Sequence, residues 1–135
     1  MIFREIMKVV TKRGDFVDIT ERVSGIVKSC EIKEGVCHVF VPATTAGIII
    51  NENERMLAED LKRFFRSMAD EKSLYNHPSN AFSHIRASLT DKDKTIPVSN
   101  GELLLGTWQS IMLWEFDVKD RKRDIIVTII GETEK

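Results

Sequence analysis

Cysteine, proline and glycine are all scarce: two, three and seven among 135 residues. So few chain breakers exclude a collagen-like, low-complexity or linker-rich chain. No apolar run approaches the roughly 20 residues that a helix needs to cross a bilayer. An excess of either charge is missing too, because 20 basic side chains stand against 21 acidic ones for a formal net charge of −1. Nucleic-acid binders neutralise phosphates with a basic surplus, and the one dense basic cluster here, Lys119 to Arg123, is interrupted by Asp120 and reads as the polar tip of a hairpin. No nucleic acid and no membrane are therefore expected as partners. The opening MIFREIMKVVTKR carries Arg4 and Lys8 inside what a secretory leader would keep apolar, so the expectation is a cytoplasmic protein. In that compartment Cys30 and Cys37, seven apart and no CxxC pair, read as buried thiols.

What the chain does have is 42% hydrophobic and 30% charged residues, enough for one core and one domain over residues 1–135. Residues 5–12 and 16–19 read as short strands around Gly14-Asp15. Thr20 stands at an N-cap position, and Val23, Ile26, Val27 and Cys30 then recur at helical spacing. Residues 36–42 and 45–50 are β-branched and read as two strands deep in a sheet. Asn51, with Glu54 three residues on, caps a predicted second helix whose stripe is Leu57, Leu61, Phe64, Phe65 and Met68. A third helix is predicted from Ser79 to Leu89. Asn100-Gly101 between residues 95–99 and 102–105 spells a tight hairpin, and residues 109–118 and 124–131 are predicted to form a second one through the charged tip. About seven mostly antiparallel strands and three helices make an α+β fold, two sheet layers with helices on one side. Long apolar strands leave edges to hide, which favours a homo-oligomer.

Three segments hold the candidate chemistry. His77 and His84 lie seven residues apart, about two helical turns, so both imidazoles can share a metal or an anion. His38 lies mid-strand and reads as a core or interface side chain. Thr44 and Thr45, with the positive end of a helix starting at Asn51, suit a phosphate or carboxylate, although turn chemistry and an N-cap account for the same residues. In the third segment Trp108 offers a flat face and Gln109 a two-way amide, as pocket walls. Glu115 is a carboxylate in a mostly apolar row with Gln109, Ile111 and Leu113, where it needs a cation, an Arg or a proton, unless it simply faces water at a strand end.

Taken in order, TTAGIIINEN (44–53), NAFSHIRASL (80–89) and PVSNGELLLGTWQSIMLWEFD (97–117) resemble the conserved blocks of the YjbQ family over nearly the whole chain. The family pattern has a histidine where Ala43 stands, A-D-P where Glu54-Arg55-Met56 stand, and a glycine where Asp91 stands. The resemblance implies a β-sandwich α+β fold, a homotrimer with sites near subunit boundaries, and a secondary thiamine-phosphate synthase activity. That transferase joins a pyrimidine-methyl diphosphate to a thiazole phosphate and releases diphosphate, usually with a divalent metal, zinc or magnesium. On the matching positions it implies His84 and Glu115 as catalytic residues and His77, His84 and Glu115 as metal ligands. Thr44, Thr45, Asn51, Trp108 and Gln109 are then expected to bind a small phosphorylated metabolite. A non-catalytic oligomer that binds a metal or such a metabolite is the competing expectation.

Overall fold

Residues 1–133 are described by a computed structural model. In chain order the elements are β1 (Ile2–Thr11), β2 (Phe16–Asp18), α1 (Thr20–Ser29), β3 (Glu34–Phe40), β4 (Ala46–Asn51) and α2 (Arg55–Met68), then α3 (Ala81–Ser88), β5 (Asp93–Ser99), β6 (Glu102–Leu103), β7 (Ser110–Glu115) and β8 (Arg121–Glu132). Five strands form one sheet in the order β1-β8-β3-β5-β6, and three form a second in the order β2-β7-β4. Every pairing between named strands is antiparallel. The expected two-layer α+β sandwich is therefore the fold, with eight strands rather than seven among the described residues.

Period-two patterning produces the layers, because alternate residues of a strand face opposite sides of its sheet. Val9 of β1, Val39 of β3 and Ile125, Val127 and Ile129 of β8 meet Ile48, Ile111 and Leu113 of the smaller sheet in one buried core. Each such side chain contributes about 1.5–3 kcal/mol when fully removed from water. The other face of β7 carries Met112 and Trp114 into a second cluster with Phe65 of α2, Ala87 of α3 and Phe116. The helices are consequently not all on one side: α2 and α3 cover the outer face of the smaller sheet, whereas α1 sends Val23, Ile26 and Val27 into the core between the sheets.

Local chemistry confirms some expectations and corrects others. The Asn100-Gly101 hairpin is present, with Val98 opposite Leu103 and both turn residues at positive φ, 52° and 74°. A second hairpin between residues 109–118 and 124–131 does not form. β7 pairs with β2 and β4, while β8 pairs with β1 and β3, so the intervening residues carry the chain from one sheet to the other. Thr20 does not cap α1, because its hydroxyl donates to Asp18 and accepts the Ile111 N–H. Glu54, not Asn51, caps α2, its carboxylate accepting the N–H groups of Met56 and Leu57 at 2.8 Å each. Ser79 precedes α3 at φ 70° without capping it. On α2 only Phe65 and Ala58 are buried, and Phe64 and Met68 remain 49% and 53% exposed. Cys30 and Cys37 are free and buried, as expected. Among the described residues no helix is long and apolar enough to cross a membrane.

Candidate functional site

Strand register sorts the predicted site residues into two groups. Ala46 lies opposite Glu115 and Asn51 opposite Ser110, so Thr44, Thr45 and Glu115 gather at one end of the smaller sheet and Asn51, Trp108 and Gln109 at the other. The six residues of β4 hold the ends roughly 20 Å apart at about 3.3 Å per residue. The positive end of α2 starts beyond Asn51, and it therefore cannot reach an anion at Thr44. At the far end Gln109 accepts the Gly106 N–H at 2.8 Å within its own turn, Asn51 accepts the Glu52 N–H at 2.7 Å, and Trp108 is 71% exposed. None of these three residues lines the cleft beside the threonines.

At the near end the inward-facing alternation of β1 and β8 continues past the hydrophobic core as Thr11 and Arg123. Glu115 is fully buried there and every lone-pair direction is used. Arg123 donates to it through Nε at 2.8 Å and Nη2 at 2.5 Å, Thr11 Oγ1 donates at 2.7 Å, and the Asp117 N–H donates at 3.0 Å. A carboxylate in an apolar row requires such a partner, and the partner is an arginine. Glu115 is thus a structural counter-ion that aims Arg123, with no lone pair left for a metal or a substrate proton.

Arg123 Nη2 also donates to Thr45 Oγ1 at 2.8 Å, which ties the loop before β4 to β8. Beside them opens a cleft of about 580 Å3 whose walls include Ala43, Thr44, Thr45, His84, Lys92, Arg121 and Arg123. Lys92 enters from the residue immediately before β5 and donates Nζ to the Ala46 carbonyl at 2.6 Å, which leaves its other two N–H bonds available. Burial, and next the charge of Arg123, push the Lys92 ammonium below its ordinary range, as expected of a cation partly desolvated beside another cation. Arg121 contacts Asp117 through Nε at 2.8 Å and Nη2 at 2.5 Å. Burial raises the Asp117 carboxyl, but the Val118 N–H, Arg121 and Asn80 outweigh it and hold it below the usual carboxylate range. Nη1 of both arginines, the Thr44 hydroxyl and the His84 ring have no hydrogen-bond partner among the described residues.

The paired histidines do come together. His77 and His84 pack edge to face with ring centroids 4.7 Å apart, and His77 Nε2 lies 3.1 Å from Asn80 Oδ1. They supply two imidazoles, and the third donor expected from the resemblance, Glu115, is held by Arg123. Among the described residues no three His, Cys, Asp or Glu side chains converge on a metal position. The donor set that this single chain brings together therefore does not fit a resident zinc or magnesium ion. His38 lies on the outer face of the larger sheet, where Nε2 meets Asp93 Oδ2 at 2.8 Å.

Three cations of the cleft, Lys92, Arg121 and Arg123, escape a motif-based reading. One signal was present: a glutamate inside an apolar row demands a cation, and Arg121 and Arg123 share one face of β8 at period two.

Fold and cleft together define a small two-sheet α+β protein with a cationic pocket at one end of its sandwich. The chain belongs to the UPF0047 protein YjbQ-like family, whose model matches residues 5–132. It is 39% identical over 125 residues to a UPF0047 protein of Methanothermobacter thermautotrophicus, covering 90% of this chain and 87% of that one. A UPF0047 protein of Methanocaldococcus jannaschii is 37% identical over 134 residues, covering 98% and 96%. Among solved structures, a YbjQ-like protein of unknown function from Sulfolobus solfataricus superposes with a TM-score of 0.93 at 36% identity, over 98% of this chain and 99% of that one. A hypothetical protein from Aeropyrum pernix does so with a TM-score of 0.90 at 31% identity, over 96% and 99%.

Proposed function

We propose that the cleft binds the phosphate or diphosphate end of a small metabolite in a cytoplasmic protein, and that the thiamine-phosphate synthase-like transfer is the reaction it serves. One observation carries this reading: Lys92, Arg121 and Arg123 converge on one cleft with free N–H bonds, next to the Thr44 hydroxyl and the His84 ring. Cationic forks match phosphate oxygens, and a partly desolvated site strengthens each contact.

The proposed transfer asks for little acid–base work. The thiazole nitrogen forms a bond to the pyrimidine methylene carbon while that carbon's bond to the diphosphate oxygen breaks, and the diphosphate leaves with the electron pair. The leaving group gains charge, and cations set in place before the reaction stabilise it most. Arg121, Arg123 and Lys92 would hold the diphosphate, Thr44 would donate to an outer oxygen, and His84, steadied by His77, would add a further donor. Glu115 acts only by positioning Arg123, and Thr45 by accepting from it.

The competing reading is a module that binds the same metabolite without turning it over. It is favoured by Ala43, which lines the cleft where the family pattern has an imidazole. Incubating the protein with both phosphorylated precursors and assaying diphosphate separates the two. Release that is lost in Lys92→Gln supports the transferase, whereas saturable binding without release supports the module. We also propose a homo-oligomer, a trimer by family likeness. Supporting it is the solvent-facing row Ile2, Ile6 and Val10 on β1, joined by Ile130 of β8, each about half exposed or more.

A further inference from the structure

A second cavity, of about 410 Å3, lies on the other side of Asp117 from the cationic cleft, between the turn after β1, helices α2 and α3, and the end of β7. Its character differs. Phe65, Phe82, Trp114 and Phe116 contribute aromatic walls, with Phe65 edge-on to Trp114 and Phe116 at centroid separations of 5.4 and 4.9 Å. Arg66 and Arg86 contribute charge. The other cations of the wall are answered at the surface, Arg13 by Glu71 at 3.5 Å and Lys62 by Asp15 at 3.2 Å.

Arg66 and Arg86 are not. Among the described residues neither forms an ion pair, and Arg86 is 7% exposed. Its Nε and Nη2 share a single acceptor, the Ala69 carbonyl, at 3.0 and 2.7 Å, while its guanidinium lies 4.8 Å from the Phe82 ring centroid. No carboxylate of the described residues lies within ion-pair distance of this buried guanidinium; Glu71 and Asp70 act on it only from further off, and burial outweighs them and lowers its proton affinity. Trp114 is buried as well, and its indole N–H has no acceptor among the described residues.

We propose that this cavity is a separate binding site for a small organic anion with a flat aromatic body, of which an aryl carboxylate is the simplest member. The carboxylate answers Arg86 and Arg66, whose planar forks match its two oxygens. The ring packs edge to face against the phenylalanines and Trp114. Inorganic phosphate is the wrong ligand for these walls, because it requires donors on every side, and Phe65, Phe82 and Phe116 offer none while Trp114 offers only its indole N–H. The site is independent of the phosphate reading of the first cleft.

The indole N–H of Trp114 is the reporter, and Trp108→Phe leaves it as the only tryptophan signal. Titrating 15N-labelled Trp108→Phe protein with benzoate is expected to shift that resonance saturably, with a Kd on the order of 1 mM for so small a ligand. Cyclohexanecarboxylate, equal in charge but not flat, is expected to bind several-fold more weakly, and inorganic phosphate to leave the signal in place. Arg66 is exposed on α2, so Arg66→Gln is expected to keep its denaturation midpoint and to weaken benzoate about tenfold. No saturable shift at tens of millimolar benzoate, an equal shift with phosphate, or undiminished benzoate binding by Arg66→Gln would each overturn the proposal.

Discussion

Glu115 shows how one residue can look catalytic and be structural. A fully buried carboxylate with an arginine fork, a threonine hydroxyl and a backbone N–H around it is satisfied, and the cost falls on whatever removes one partner. Glu115→Gln leaves Arg123 buried and unpaired and is expected to lower unfolding free energy by about 3 kcal/mol in urea titrations. Replacing both residues by leucine is expected to recover part of that loss. Cys37 makes the opposite point about charge. Burial, with Cys30 beside it, raises its thiol from 9.0 to about 12, so the folded state favours the neutral form. That contribution is fully present below pH 9 and is lost as the pH rises toward 12, because the unfolded chain ionises first. Denaturation midpoints are expected to fall across that window in wild type and less steeply in Cys37→Ala. A thiol reagent at neutral pH is expected to label the native protein only after denaturation.

Among the elements, what is local was readable and what is long-range was not. Asn100-Gly101 announced its hairpin because a positive φ at two successive positions is a property of those two residues. Gly101→Ala puts a Cβ at φ 74° and is expected to cost about 1–2 kcal/mol, read as a lower denaturant midpoint with unchanged slope. The alternation in β7 and β8 was equally clear, yet alternation says which face of a strand is buried and nothing about which sheet the strand joins. Hence residues 109–131 read as a hairpin although they bridge two sheets. The same gap separated Thr44 from the start of α2, which are close in sequence but at opposite ends of β4. His77 and His84 do meet, but not through the helical spacing that suggested it: His77 precedes α3, and the turn through Ser79 at φ 70° brings its ring against His84. Lys92, Arg121 and Arg123 were missed because their meeting depends on three separate elements arriving at one end of the sandwich.

At the scale of the whole molecule, the near-neutral composition conceals an uneven distribution. Cations collect at one end of the sandwich, where Glu115 and Asp117 are already committed to arginines, and a row of apolar side chains faces outward along β1. Light scattering is expected to give a mass of three chains, and Ile6→Glu on that row is expected to shift it toward one chain without unfolding the protein. The cationic cleft itself is tested most directly by calorimetric titration with pyrophosphate. Wild type is expected to bind one pyrophosphate per chain, and Lys92→Gln, which keeps a donor for the Ala46 carbonyl but loses the charge, is expected to bind about tenfold more weakly, near 1.4 kcal/mol. Wild-type protein that shows no saturable heat at millimolar pyrophosphate, or a Lys92→Gln protein that binds as tightly as wild type, would contradict an anion site built on these three cations.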